Sequence, residues 1–213
     1  MPDFSDPLNW LCILLGYLIG ATPFGLIAGK MKGIDIRQHG SGNIGATNVL
    51  RTLGKPVGIT VLILDILKGM IPVIISMWLS DNTIVHIATA IATILGHNFT
   101  FWLKFKGGKG IATTAGAMIL LIPIPAVVSI LSWIIFFKVT RYVSIGSIAA
   151  ALALPIVGTI QAIVTGDWNR PILIFCTVLC VMAIWKHRGN IQRLMKGEEP
   201  RFQKKSEKKE KLS

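Results

Sequence analysis

Acidic residues are scarce in this chain: ten Asp and Glu stand against 22 Lys and Arg, and charged residues fill only 15% of 213 positions. A soluble domain carries about 25% charge, so the shortage excludes an ordinary water-soluble globular protein. Cysteine is limited to Cys12, Cys176 and Cys180, all inside apolar runs. An odd number so placed argues against a disulfide framework and against a thiolate metal site. Histidine is also sparse. His39, His97 and His187 form no H-x-x-x-H or carboxylate pattern, so no metal is expected. Two acids, Asp3 and Asp6, precede the first apolar run where a signal peptide would carry basic residues, so that run reads as a retained helix. No internal repeat is visible, and the basic residues lack the interleaved aromatics of a nucleic-acid surface.

What the chain has is hydrophobic length. Residues of hydrophobic type make up 52%, in runs at 8–28, 56–79, 83–99, 111–139, 142–164 and 171–185. Several reach the roughly 20 residues that a membrane-spanning helix needs. Thr22-Pro23 is placed to kink the first run, and Pro123 and Pro125 to split the fourth. Cytoplasmic loops carry an excess of Lys and Arg. Lys30, Lys32, Arg37, Arg51 and Lys55 lie between the first two runs, Lys104, Lys106 and Lys109 after the third, and ten basic residues follow from Lys186 onward. One helix across 111–139 would strand that basic tail outside; two short helices return it inside. The expectation is an all-α integral membrane protein of about seven transmembrane helices, with the N-terminus outside and the C-terminus cytoplasmic. Five full spans plus irregular pieces is the alternative. Residues 1–202 form one membrane-embedded domain, and 203–213 a charged tail with the composition of disorder. The tryptophans fall near the proposed helix ends, as in an aromatic belt.

Three polar segments then share one membrane face. The first, HGSGNIGATNVLRTLG (39–54), combines four glycines, Ser41, Asn43, Thr47, Asn48 and Arg51, and no acid. Gly40, Gly42 and Gly45 allow backbone N–H groups to turn toward an anion. Asn43 or Thr47 could cap a short helix whose N-terminus faces the same ligand. The segment matches G-x-G-x-x-G, but no strand precedes it and no acid follows about 20 residues on, so a dinucleotide fold is rejected. The second, Lys106-Gly107-Gly108-Lys109-Gly110, resembles a phosphate loop only superficially; the first Gly and the final Ser or Thr are missing. The third, HRGNIQRLMKGEE (187–199), spaces His187 and Asn190 one helical turn apart. Within the second span, Asp65 and Lys68 are spaced to pair.

SGNIGATNVLR (41–51), GHNF…FKGGKGIAT (96–113) and HRGNIQRLMKGEE resemble, in order and spacing, the three signature motifs of the bacterial acyl-phosphate-dependent glycerol-3-phosphate acyltransferases, the PlsY family. TPFGLIAGK and LDILKG also look like that family, and the resemblance covers residues 8–202. It implies a bacterial cell-membrane enzyme of seven helices with its motifs on the cytoplasmic side. Such an enzyme moves an acyl group from acyl phosphate to the 1-hydroxyl of sn-glycerol 3-phosphate, giving lysophosphatidic acid and inorganic phosphate. No His is followed by an Asp five residues on, which sets the chain apart from the H-x-x-x-x-D acyltransferases.

On that reading, Gly42, Asn43, Gly45, Thr47 and Asn48 hold the acyl-phosphate head group. Arg51, Lys106, Gly107, Gly108, Lys109 and Gly110 hold glycerol 3-phosphate. Ser41, His187 and Asn190 are the catalytic set, with His97, Glu199, Asp65 and Lys68 in support. The 1-hydroxyl proton goes to His187 or to the phosphoryl oxygen of the donor. The donor route is favoured because no carboxylate stands beside His187 in the sequence, and a covalent Ser41 intermediate lacks a partner set. No cofactor, nucleic acid or obligatory protein partner is expected. A transporter for a phosphorylated solute is the rival, on the strength of Asp65 and Lys68 in mid-membrane. It would need an inverted repeat and midplane polar groups.

Overall fold

A computed structural model describes residues 6–202, so the charged tail lies outside the described residues. Asp6 opens the first helix, α1 (Pro7–Gly20), by accepting the Leu8 N–H at 2.9 Å. Pro23 cannot supply an N–H to continue it, and the chain restarts as α2 (Phe24–Met31). A short amphipathic helix, α3 (Ala46–Leu53), precedes the long α4 (Lys55–Leu79). Asn82 caps α5 (Thr83–Asn98). Pro123 ends α6 (Ile111–Leu121) and begins α7 (Pro123–Thr140), followed by α8 (Val143–Thr165). Asn169 caps α9 (Arg170–Lys186), and the chain bends by 53° at His187 into α10 (Arg188–Met195).

Among the described residues, five helical segments are long and apolar enough to cross a membrane, counting α1 with α2; six if α9 and α10 count as one. The break in the fourth run falls where the prolines place it. At 11 residues α6 is about 16 Å long, roughly half of a hydrocarbon core.

In lipid, apolar side chains gain little by leaving the solvent, so helices associate through close backbone contact. The sequence supplies small residues where the helices touch. α1 lies along α5 and α4 along α6, while α8 packs on both α7 and α9. A methyl group at Gly20 would meet the Thr93 carbonyl, and one at Gly96 the Tyr17 carbonyl. Gly69 and Gly116 make the same contact between α4 and α6, against Thr113 and Ile66. Val73, Ile94, Met118, Leu154 and Phe175 fill the centre. Outward-facing Leu14, Ile63, Ile160 and Val181 are exposed, which suits a lipid surround.

One buried polar knot fastens the α1–α2 break to α4 and α5. Lys68 pairs with Asp65 at 2.7 Å and donates to the Thr22 carbonyl at 2.8 Å. His97 Nδ1 lies 3.8 Å from the same carboxylate. Thr100 donates to the Ala21 carbonyl, and Tyr17 to the Phe99 carbonyl. Isolated charges at this depth would be expensive; paired, they hold the first polar segment at a fixed height against the second.

Candidate active site

The first polar segment is built around Asn48. Its amide nitrogen donates to the carbonyls of Ile36, His39 and Asn43 at 3.1, 2.9 and 2.8 Å, and its oxygen accepts the Ser41 N–H at 2.8 Å. One buried side chain thus closes the whole loop. Gly40 and Gly42 have φ of +60° and +69°, and a side chain on Gly40 would strike the Asn48 oxygen. The loop therefore requires glycine there. The capping differs from the sequence expectation. α3 starts after Gly45 with no side-chain cap, because the Asn43 oxygen is already taken by the Gly45 N–H at 2.8 Å. Thr47 lies within the first turn, so the first N–H groups of α3 have no intrahelical acceptor. Ala46 and Thr47 line the cavity described below.

The second segment crosses the end of α5. Gly107 and Gly108 donate their N–H groups to the carbonyls of Asn98 and His97 at 3.2 and 3.1 Å. A methyl group on Gly107 would enter the His97 carbonyl, and one on Gly108 the His97 ring. These glycines let the backbone lie flat on α5, and His97 is their bed. Lys186 braces the same corner, donating to the Asn98 carbonyl at 2.9 Å. The crossing separates the two lysines: Lys109 enters the main cavity, and Lys106 faces another cleft.

The third segment closes the site. At the bend beyond α9, the buried His187 holds Nδ1 2.8 Å from the Ala183 carbonyl. A carbonyl only accepts, so Nδ1 carries the proton and Nε2 keeps its lone pair. Burial, then the neighbouring Lys109 charge, pulls His187 down to about 4, so the ring is neutral at pH 7. Asn190 accepts a hydrogen bond from Lys109 and donates to Glu199 at 2.7 Å. Arg193 donates to the other Glu199 oxygen at 2.9 Å. Burial would raise the Glu199 carboxyl, but the hydrogen bonds from Asn190 and Arg193 hold it below its usual range. Burial lowers Lys109 to about 8, opposed by Glu199 and assisted by Arg193 and Arg51. Arg51 reaches the Pro200 carbonyl at 3.2 Å and stacks 5.6 Å from the Phe202 ring. Phe202 in turn donates its N–H to the Arg141 carbonyl and packs on Phe137.

All three segments open on one cavity of about 360 Å³. At its mouth stand Ser41, Thr47, Arg51, Lys109, His187 and Asn190. It continues inward between α6, α7, α8 and α9 along Met118, Ile130, Ala151, Leu154 and Leu179. Cations and free N–H groups at one end suit phosphate. The apolar remainder suits a hydrocarbon chain.

Among the residues singled out from the sequence, Ser41, Asn43, Gly45, Thr47, Asn48, Arg51, Lys109, Gly110, His187 and Asn190 meet at this cavity, and Asp65, His97 and Glu199 also border it. Gly42, Lys106 and Gly107 line the other cleft. Lys68 is buried behind Asp65. Sequence reasoning missed Arg193, whose spacing of three from Asn190 puts both on one face of α10. It also missed Trp133. That side chain is no part of a belt: it lines the cavity and donates to Ser147 at 3.3 Å. The others, such as Trp78 and Trp102, are well exposed.

A family model described as glycerol-3-phosphate acyltransferase matches residues 10–197. The glycerol-3-phosphate acyltransferase of Desulforamulus reducens is 48% identical over 90% of this chain and 94% of its own. That of Halalkalibacterium halodurans is 42% identical over 94% and 98%. Among solved structures, the glycerol 3-phosphate form of PlsY, an integral membrane glycerol 3-phosphate acyltransferase, superposes with a TM-score of 0.83. It is 39% identical over 92% of this chain and 96% of that one. The lysophosphatidic acid form gives 0.79 at 38% identity. With its own cavity built from the three motifs and a match that runs nearly end to end, this chain belongs to the glycerol-3-phosphate acyltransferase family of PlsY type, the integral membrane acyltransferases of phospholipid synthesis.

Proposed function

We propose that the chain takes its acyl group from acyl phosphate and delivers it to the 1-hydroxyl of sn-glycerol 3-phosphate, releasing lysophosphatidic acid and inorganic phosphate. One observation carries this reading: two glycine-rich segments, each contributing a cation, face a single cavity whose other end is an apolar channel among helices. Two phosphorylated substrates, one with a long acyl tail, match those three features. The amides around Gly45 and Thr47, with Ser41 and Asn43, receive the acyl-phosphate head group. Asn48 serves that loop by fixing its backbone. Arg51, Lys109 and Asn190 hold glycerol 3-phosphate, and Gly107, Gly108 and Gly110 give the Lys109 loop its path.

The oxygen of the 1-hydroxyl attacks the acyl carbonyl carbon, and the carbon–oxygen bond to phosphate breaks. The proton passes to a phosphoryl oxygen of the departing phosphate. His187 Nε2 accepts a hydrogen bond from the 2-hydroxyl of glycerol 3-phosphate and so aims the 1-hydroxyl, whose single proton stays available to the phosphoryl oxygen. Two features favour this over a His base. The Nδ1 proton rests on a backbone carbonyl instead of a carboxylate, and a group held near 4 is a weak proton acceptor at neutral pH. Holding both substrates in line supplies much of the rate. The chain works as one domain in a bacterial cell membrane, with seven helices counting the short α6, the N-terminus outside and the motifs cytoplasmic. It needs no cofactor and no obligatory protein partner.

The test supplies purified protein with labelled glycerol 3-phosphate and palmitoyl phosphate, palmitoyl-CoA or palmitoyl carrier protein. Lysophosphatidic acid from palmitoyl phosphate alone, lost in Arg51→Ala, is the expected result. Product from a thioester alone would overturn the donor assignment. Uptake of glycerol 3-phosphate into liposomes without product would restore the transporter reading.

A further inference from the structure

On the far side of the glycine loop from the substrate cavity lies a cleft of about 570 Å³, lined by Arg37, Lys104 and Lys106 together with Gly42, Asn43 and Trp102. Among the described residues no acid lines it. Asp35 stands just outside and takes Arg37 by its Nε and Nη2, at 2.9 and 2.6 Å. Hydrogen bonds from the Arg37 side chain and backbone N–H draw that carboxyl down to about 2, so the acid offsets one of the three cations and leaves a net charge of about two.

The surroundings of the cleft identify its ligand. The span beginning at Thr83 runs as far as Leu103, so the cleft opens where a helix leaves the hydrocarbon. Phe101, Trp102 and Phe105 are exposed beside it, Trp102 by 65% and Phe105 by 62%. Phe101 and Trp102 pack together with ring centres 4.5 Å apart. Tryptophans so placed, next to lysines, belong at the headgroup layer of a bilayer. The loop is also held in a costly conformation: Lys104 and Phe105, neither of them glycine, have φ of +51° and +61°. Non-glycine residues stay in that region only where the surrounding structure insists. The strain sits at the residues that set the cations beside the aromatics.

We propose that this cleft binds the phosphate of an anionic membrane lipid. Arg37, Lys104 and Lys106 take the phosphate oxygens, and Trp102 and Phe105 rest against the acyl chains. A free phosphate would satisfy the cations and leave the aromatic rim without a purpose. Asn43 lines both this cleft and the substrate cavity, so a lipid held here braces the back of the glycine loop. No step of acyl transfer is routed through its cations, and its test needs no catalysis.

Detergent-purified protein is mixed with phosphatidylglycerol or phosphatidylcholine and the retained lipid is counted by native mass spectrometry. The wild-type protein should hold one phosphatidylglycerol much more tightly than any phosphatidylcholine. Lys104→Asn with Lys106→Gln removes two charges, and Asn keeps the left-handed backbone at low cost. Each juxtamembrane cation is worth roughly fivefold in affinity for anionic lipid, so the pair should weaken that adduct about thirtyfold. Trp102→Ala, which leaves the charges in place, should also weaken it. Wild-type retention in the double variant, with an unchanged thermal unfolding midpoint, would overturn the proposal. So would full displacement of the lipid by millimolar inorganic phosphate, which would mark the cleft as a site for free phosphate.

Discussion

At the residue scale, Lys109 is the group whose behaviour the structure fixes most tightly. It is a cation below about 8 and neutral above, so its hold on phosphate is present at low pH and lost as pH rises through that value. The expected kcat/KM for glycerol 3-phosphate, which reports the free enzyme, falls on the alkaline side of about 8. In Lys109→Arg that limb should vanish, since arginine stays charged. A limb that survives the substitution would assign it to another group. Lys109→Ala and Arg51→Ala each remove a charged hydrogen-bond donor, worth about 1.5–3 kcal/mol, or roughly ten- to 150-fold in kcat/KM. His187 gives the opposite kind of prediction. If it aims the hydroxyl without taking its proton, His187→Gln keeps an acceptor and should retain kcat within about tenfold. Loss of a true general base costs about 10²–10⁴, and a drop of that size in the variant would sink the substrate-assisted route. That Arg51, Lys109 and His187 come from segments gathered at one cavity was legible in the sequence, because the first two segments are glycine-rich, basic and free of acid, which suits an anion. Their partners were not. Nothing in the spacing of Asn48 told that its amide would be spent on the carbonyls of Ile36, His39 and Asn43, since those contacts depend on how the loop closes.

At the element scale, the two ends of the cavity should separate kinetically. Gly107→Ala would force the loop away from the His97 carbonyl, which is backbone and cannot swing aside. Lys109 would shift with it. Because a displacement of about 1 Å can cost a hundredfold, KM for glycerol 3-phosphate should rise steeply while KM for acyl phosphate changes little. Ala151→Trp in α8 should do the reverse. It fills the channel beside Leu154 and Leu179, raising KM for acyl phosphate and sparing glycerol 3-phosphate; equal effects on both would refute the channel as the acyl path. The helices themselves were legible, breaks included, because Pro23 and Pro123 act locally through their missing N–H groups. The channel was not. Its walls come from α6, α7, α8 and α9, and helices apolar all round give no sign of which face meets a cavity. Trp133 shows the limit: near a helix end it reads as an interfacial anchor, but its indole is committed to Ser147.

At the scale of the whole molecule, the question is which way the bundle sits. Lys32, Lys104, Lys106 and Lys109 lie in the loops at one end, with Lys30 in the last turn of α2 beside them, and Asp81 and Asp167 lie at the other. The positive-inside rule counts Lys and Arg in loops of this length, and on that count the proposed orientation has the motif-bearing end in the cytoplasm. Substrate supply argues the same way, because phosphorylated glycerol is charged and is made where phosphate donors are. The native thiols Cys12, Cys176 and Cys180 are all buried, so they form a quiet background for labelling. Asp81→Cys and Asp167→Cys, both at exposed positions, should react with a membrane-impermeant maleimide added to intact cells. Lys32→Cys, equally exposed, should react only after the membrane is opened. The pair at Asp81 and Asp167 also counts spans. With seven helices they share a side, because α6 and α7 together with α8 bring the chain back out after α5 takes it in. If α6 and α7 crossed as a single span, Asp167 would face the cytoplasm and stay unlabelled while Asp81 reacted. The short α6 is what makes this experiment decisive: 11 residues cannot bridge the hydrocarbon alone, so its far end must be covered by α4 and α7 for the return at Pro123 to occur inside the membrane.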